Sequence, residues 1–288
     1  MNGILVVNKP NNYTSRDVVN KIGGILKTKK VGHTGTLDPI ATGVLVVCIG
    51  NTTKLCELLT SEYKEYIATI KLGIKTDTLD TTGTIIEKKD YNVSENQIKE
   101  VLNTFLGTSI QTTPIYSAVK VNGKKLYEYA REGIPVTPPT KEIEVYSIEL
   151  LDDLVYNDDT IEFTMQCEVS KGTYIRSLIR DIGYKLNTYG TMKELNRTKQ
   201  GTFTIKDSYT VEDIQNKNYK LLSIKESLPN IKITKVDDKL LTKIKNGQVL
   251  DSFFDEDISL ILDKNNKEIA IYKQIENEKV KPFKMIEV

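Results

Sequence analysis

The chain of 288 residues contains no tryptophan, one histidine and three cysteines. Cys48, Cys56 and Cys167 are odd in number and lack Cys-x-x-Cys spacing, which argues against a disulfide framework and a thiolate metal site. With His33 as its lone imidazole, the chain is also a poor candidate for a multi-histidine metal centre or a Cys-His triad. No apolar run approaches the roughly 18 residues that cross a bilayer, and the first ten residues lack a signal-peptide pattern. We therefore expect a cytoplasmic protein with no membrane association.

What the chain does contain is an ordinary globular composition, with 39% hydrophobic and 27% charged residues. The formal net charge of +1 hides an uneven distribution. Residues 1–36 hold six Lys or Arg and one Asp, and residues 170–206 hold eight Lys or Arg and two acids. Either cluster alone is as well explained by a solvated face. Together they favour a surface that binds phosphates.

Hydrophobic periodicity predicts alternating strands and helices, which indicates an α/β or α+β sheet domain. Ser/Thr capping patterns at Thr14 and Ser94 predict two helices, the second ending at Gly107. A glycine-rich loop is expected over residues 32–43, and a helix beginning at Ile175 is expected to carry Arg176 in its first turn. The expected strands are residues 4–7, 44–49, 63–72, 117–121 and 161–169.

The sequence changes in character near residue 230. Residues 258–262 and 268–272 are expected to form a hairpin around a polar turn. We predict a large domain over residues 1–230 and a small, mainly-β domain over residues 231–288.

The glycine-rich loop is the densest candidate for chemistry, because three glycines and a proline surround one carboxylate, Asp38. The loop has no lysine, so it is not a P-loop. A tight turn, in which Asp38 binds neighbouring amides, explains the pattern without any function. If the fold brings Arg176 to Asp38, its positive charge favours the ionised carboxylate, which can act as a nucleophile.

Two further side chains have a structural and a functional interpretation. Tyr66, in the middle of a strand, fits a core position or a ring that stacks on a base. His33 has no second imidazole to assist it, so a hydrogen-bonding wedge is a better interpretation than a general base.

Three segments of the sequence resemble a known family. GHTGTLDPIATGVL (residues 32–45), YSAVKVNGKKLYEYAREG (residues 116–133) and SKGTYIRSLIRDIG (residues 170–183) closely resemble the bacterial tRNA pseudouridine-55 synthases, the TruB family. The resemblance extends over about residues 3–210. Three positions depart from the family pattern: Asn12 replaces a common glycine, Leu79 a frequently acidic residue and Thr202 a frequent proline. None of these changes removes a catalytic group.

The resemblance implies a pseudouridine-synthase fold with a mostly antiparallel mixed sheet, and a small PUA-like RNA-binding domain after residue 230. It implies conversion of the T-loop uridine of tRNA to pseudouridine by base flipping, without cofactor or metal. Asp38, Tyr66 and Arg176 match the family's catalytic residues. His33, Lys9, Pro10, Leu195 and Tyr174 match positions that contact the substrate. We expect a monomer that binds the T arm of tRNA and has no protein partner.

Two other classes remain open from the residues alone. One is a non-catalytic RNA-binding protein on a synthase scaffold, which an intact Asp38, Tyr66 and Arg176 disfavour. The other is an aspartate-dependent hydrolase, which needs a second carboxylate. The sequence does not place Asp77, Asp80 or Asp181 in that role.

Overall fold

Strands outnumber helices in the computed structural model, which describes residues 1–60, 63–157 and 159–287. The strands are β1 Gly3–Lys9, β2 Val31–His33, β3 Thr42–Ile49, β4 Tyr63–Leu72, β5 Ile74–Thr76, β6 Ile85–Lys88, β7 Gly107–Thr112, β8 Lys120–Val121, β9 Lys124–Lys125, β10 Thr140–Leu150, β11 Val155–Asn157, β12 Thr160–Ser170, β13 Gly190–Gln200, β14 Phe203–Thr204, β15 Lys232–Lys235, β16 Leu250–Asp251, β17 Ile258–Leu262, β18 Glu268–Ile275 and β19 Lys279–Met285.

The helices are α1 Ser15–Ile25, α2 Glu95–Asn103, α3 Leu126–Glu132, α4 Ile175–Lys185, α5 Val211–Gln215, α6 Ile224–Ser227 and α7 Asp238–Lys245, with 3₁₀ turns at Gly50–Leu55 and Ile205–Asp207. In the part of the chain that the structure describes, no helix is long and apolar enough to span a bilayer. The chain divides into two units. The first takes described residues from segments 1–38, 45–60 and 206–288, and the second from 39–44 and 61–205.

The second unit is built on a mixed sheet in the order β3, β13, β4, β12, β10, β7. The start of β3 runs parallel to β13, whereas the other neighbours are antiparallel. Alternate residues of β4 are buried, as period-two patterning requires, and α4 packs on β13 with its apolar face buried. The expectation of a mostly antiparallel mixed sheet is confirmed.

The first unit has a core formed by β1, the end of β3 and α1. Val18 and Ile22 of α1 are fully buried against Leu5 and Val47. The chain returns after β14 to pair with β1, where Tyr209 N donates to Val6 O at 2.9 Å.

A five-stranded sheet in the order β15, β17, β18, β19, β16 forms the small C-terminal β domain. The expected hairpin is present as β17 and β18. This sheet is attached to the 3₁₀ turn after β3, since Asn51 Nδ2 donates to Ile286 O at 2.7 Å and Lys54 Nζ to Met285 O at 2.9 Å. The exact boundary at residue 230 stays a prediction.

Three expected element boundaries differ from the structure. The helix capped by Ser94 ends at Asn103, because Leu106 is 48% exposed and offers no apolar face to extend it. Gly107, with φ of 87°, instead opens β7. Within residues 117–121 only Lys120–Val121 is a strand. The glycine-rich loop is shorter than expected, because β2 includes Gly32 and His33 and β3 begins at Thr42.

Candidate active site

Ser15 fixes the loop that carries Asp38 through the residue just before Asp38, Leu37. The hydroxyl of Ser15, at the start of α1, accepts from Leu37 N at 2.9 Å and donates to Leu37 O at 3.2 Å. Ser15 is 2% exposed and Leu37 is 4% exposed. The residue before Asp38 is therefore held by a buried side chain, while Asp38 itself is half-buried.

Five residues later, Gly43 fixes the path by which the chain leaves the loop. It has φ of 100°, in the region that favours glycine, and an added Cβ would lie 2.3 Å from Arg197 O of β13. Only glycine permits this approach of β3 to β13. Arg197 reinforces it, since its Nε donates to Val44 O at 2.7 Å.

Lys9 is the last residue of β1, and Pro10 leads into the turn that follows. Lys9 is fully buried, and its ammonium group donates to Pro10 O at 2.9 Å and to Tyr13 O at 2.5 Å. Lys9 thus stabilises the turn from within. His33 ends β2 opposite Val47, half-buried, so it stands on a strand and not in the loop where we expected it.

Arg176 lies in the first turn of α4 and is only 5% exposed, so it is not a surface arginine. Its Nη1 donates to Thr78 O at 3.0 Å, and its Nη2 donates to Tyr116 O at 3.0 Å. These contacts fix the guanidinium plane, because two different loops supply the acceptors.

Asp80 is a buried carboxylate beside Arg176 that sequence reasoning left unplaced. Its Oδ2 lies 3.9 Å from Arg176 Nη1. Its Oδ1 accepts from Thr82 N at 3.0 Å and from the hydroxyls of Thr78 at 2.8 Å and Thr82 at 2.5 Å. The sequence signal for a hydrogen-bonded carboxylate here was the segment TDTLDTT (residues 76–82), in which threonine hydroxyls lie next to both aspartates.

The remaining residues of the second unit lie on the strands around β4 and at the start of α4. Tyr66 of β4 is 6% exposed and pairs with Cys167 on one side and Arg197 on the other. Leu195 of β13 is also 6% exposed and pairs with Ala68. Tyr174 is the N-cap residue of α4, where its carbonyl accepts from Leu178 N at 3.0 Å and its own N–H donates to Gln111 Oε1 at 2.8 Å.

Lys64 shares the buried face of β4 with Tyr66 and was not expected to be there. It is 7% exposed, and burial first, then repulsion from Arg197, Lys171 and Lys141, lowers its pKa from 10.5 to about 8. The sequence did contain a signal for the burial of Lys64. It occupies an inward position of β4, and the other inward positions of that strand are mostly apolar.

The expected site residues are divided between the units. Asp38, His33, Lys9 and Pro10 belong to the first, and Tyr66, Tyr174, Arg176 and Leu195 to the second. The roles of all eight stay predictions. Among the described residues, no group of three or more His, Cys, Asp or Glu side chains is arranged to hold a metal ion.

Two family models match the chain, one after the other. The model of the TruB family pseudouridylate synthase N-terminal domain matches residues 24–175. The model of the tRNA pseudouridylate synthase B C-terminal domain matches residues 176–238. The chain belongs to the TruB family of pseudouridylate synthases.

Two similar proteins support this family assignment over nearly the full chain. The chain is 44% identical to the tRNA pseudouridine synthase B of Staphylococcus saprophyticus over 287 residues, covering 94% of each chain. It is 39% identical to that of Bacillus pumilus over 302 residues, covering 99% of this chain and 98% of the other. The resemblance seen in the three motifs is confirmed, and so is the expectation of an enzyme, a pseudouridine synthase.

Solved structures show the same fold. A chain of an H/ACA RNP bound to a substrate RNA containing 2'-deoxyuridine matches with a TM-score of 0.71, 23% identity, and coverage of 99% of this chain and 85% of the other. A chain of a Cbf5-Nop10-Gar1 complex matches with a TM-score of 0.69 and 25% identity over 96% of this chain and 79% of the other. The pseudouridine-synthase fold of this TruB family member is thereby confirmed.

Proposed function

We propose that this TruB family enzyme converts uridine 55 in the T loop of tRNA to pseudouridine, as a monomer acting in the cytoplasm and without cofactor. The observation that carries the proposal is the fixed aspartate loop. Ser15 binds Leu37 on the N-terminal side of Asp38, and Gly43 permits the close approach of β3 to β13 on the C-terminal side. The TruB relatives, which are named tRNA pseudouridine synthases, support the class of substrate.

The reaction is an isomerisation whose atoms balance within the nucleotide. The N1–C1′ bond breaks, the uracil rotates, and a C5–C1′ bond forms. The proton on C5 leaves and N1 gains one, so no redox partner or added group is needed. The base must leave its stack to reach an enzyme group.

Asp38, as a carboxylate, starts the reaction in our proposal. Arg176 is its cationic partner, a role supported by a guanidinium that Thr78 O and Tyr116 O already hold in place. Tyr66 stacks on the uracil, which is worth roughly 1 to 3 kcal/mol per base.

The other expected residues bind the nucleotide in the same proposal. His33 occupies the space that the flipped base leaves. Leu195 contacts the base, and Lys9, Pro10 and Tyr174 line the site. The small C-terminal β domain contributes RNA binding outside the reacting nucleotide.

The test is incubation with an unmodified tRNA transcript and mapping of pseudouridine at nucleotide resolution. We expect one modified position, in the T loop. A product at another position contradicts the substrate assignment and leaves the family intact. Tight, salt-dependent binding without any pseudouridine identifies a non-catalytic RNA-binding protein and contradicts the proposal.

A further inference from the structure

An open groove runs along α1 and the turn that follows it, within the first unit. We call it the α1 groove. Its cations are Arg16, Lys27 and Lys29, and its remaining lining includes Asn20, Gly24 and Val31. It contains no acidic residue. No role in the reaction proposed above draws on it.

The three cations of the α1 groove are exposed and uncompensated. Within residues 1–60, 63–157 and 159–287, no carboxylate lies within ion-pair distance of Arg16, Lys27 or Lys29. The nearest acid in sequence, Asp17, has its carboxylate engaged in the capping box of α1, where it accepts from Thr14 N at 2.9 Å and Thr14 Oγ1 at 2.6 Å. The groove therefore concentrates positive charge that the fold does not neutralise.

Gly24 leaves open space at the wall of the α1 groove. It lies in the last turn of α1, is exposed, and lacks a positive φ. An added Cβ would meet no atom within 4 Å. The neighbouring Gly23 differs, because its Cβ would lie 2.9 Å from Thr28 O, so the fold itself requires glycine there. The open space at Gly24 leaves the backbone of α1 accessible from the groove.

We propose that the α1 groove binds the sugar-phosphate backbone of the RNA substrate, at phosphates outside the reacting nucleotide. Complementary charge selects a polyanion, because the open groove is lined by three exposed cations and by no acid. Ser15, at the other end of α1, is bonded to Leu37 beside Asp38. Gly24 lies nine residues further along the helix, about 14 Å at 1.5 Å per residue.

This inference rests on the proposed function, because it requires that the RNA bound in the groove is the RNA that reacts at Asp38. Phosphate contacts of this kind hold the substrate in register and carry no sequence information. The groove is therefore expected to affect binding and not the chemical step.

The first test replaces the three cations together, as R16A/K27A/K29A, in the full chain. Binding of an unmodified tRNA transcript is measured over a range of KCl concentrations. We expect affinity to fall about tenfold or more at low salt. The slope of log affinity against log salt should become shallower by about 2 to 3, at roughly 0.7 to 0.9 for each of three lost phosphate contacts. The rate at saturating tRNA is expected to match the wild type.

A matched pair at Gly24 separates charge from folding. Gly24→Glu and Gly24→Gln introduce side chains of equal size, and their melting temperatures are expected to agree. Gly24→Glu is expected to weaken tRNA binding several-fold more than Gly24→Gln. Equal binding by this pair, or an unchanged salt slope in the triple variant, overturns the inference.

The two proposals fail in different ways. If the wild type modifies the T loop and the groove variants bind tRNA like the wild type, the groove inference alone is wrong. If the wild type forms no pseudouridine but the variants lose tRNA affinity and salt dependence, the groove stands and the proposed reaction is wrong.

Discussion

The two larger sheets of this protein bury different kinds of side chain. Around the large sheet of the second unit, Lys64, Asp80 and Arg176 are each at most 7% exposed. The five-stranded C-terminal sheet has instead an apolar core around Ile244, Ile261 and Tyr272. Its buried acid, Asp263, is used locally, where its carboxylate accepts from the amides of Asn265 and Lys267 at 2.8 Å.

The difference shows what the fold requires and what it does not. Removing a charge from water costs free energy unless partners compensate for it. Among its described residues, the C-terminal sheet has ion pairs only between exposed or half-exposed side chains, so the packing of this sheet does not depend on a buried pair. Around the large sheet, Arg176 lies 3.9 Å from the Asp80 carboxylate, whereas burial lowers the pKa of Lys64.

Among the substitutions that test this comparison, the largest effect is expected at Arg176. Arg176→Met leaves Asp80 buried beside an apolar side chain, so the free energy of unfolding should fall by about 3 kcal/mol. Pseudouridine formation should fall by about 100-fold or more, since a fixed charge is lost. Urea unfolding and single-turnover assays measure the two effects. Arg176→Lys is the control, because it keeps the positive charge but cannot donate to both Thr78 O and Tyr116 O as the guanidinium does. Activity within tenfold of wild type in Arg176→Met would contradict the assignment of Arg176 to the reaction.

A core substitution in the C-terminal sheet tests the other side of the comparison. Ile261→Ala removes a fully buried side chain and should lower the free energy of unfolding by about 2 to 4 kcal/mol. The rate at saturating tRNA should not change at a temperature where the variant is folded. Loss of that rate in a fully folded Ile261→Ala protein would show that the apolar sheet also serves the chemistry.

A smaller effect of opposite sign is expected at Lys64, whose pKa is lowered to about 8 by burial first and by neighbouring cations second. The folded state disfavours the charged form, so the penalty is present below pH 8 and disappears as pH rises from about 8 to 10.5. Lys64→Met should therefore raise the free energy of unfolding at pH 7 by on the order of 1 kcal/mol, with a smaller gain at pH 10. Lys71→Met, on the same strand but paired with Glu162 at 3.3 Å, is the control expected to show no gain.

The smallest effect is expected at Glu226, which caps α6. Hydrogen bonds from Lys220 first, then from the amide and hydroxyl of Ser223, lower its pKa from 4.5 to about 2. Its stabilising effect is thus present above pH 4.5 and is lost as pH falls toward 2. Because the pair with Lys220 is exposed, Glu226→Gln should cost less than about 1 kcal/mol at pH 7. The two proteins should converge in stability near pH 2, and a difference that persists there would contradict this origin.

Local patterning was sufficient to predict much of the fold. Alternation over β4 and β12, and the capping boxes at Thr14 and Ser94, are signals within one element, and the structure contains all four features. The end of α2 was missed, because it depends on whether Leu106 meets a partner across the fold.

The contacts that support the candidate site were harder to predict than the site residues themselves. Motifs pointed to Asp38 and Arg176, but Asp80 and Ser15 act through tertiary contacts with Arg176 and Leu37 at sequence separations of 96 and 22 residues. Lys64 was missed because a lysine in a strand ordinarily faces solvent. Such contacts leave no periodic trace in a sequence.

The most direct test of the central claim is release of C5 tritium from labelled unmodified tRNA by wild type and Asp38→Asn. The substitution keeps the size of the side chain and removes the ionised oxygen. We expect the variant to bind tRNA and to release no tritium above background. Release at a rate near the wild type would contradict the assignment of Asp38 as the group that starts the reaction.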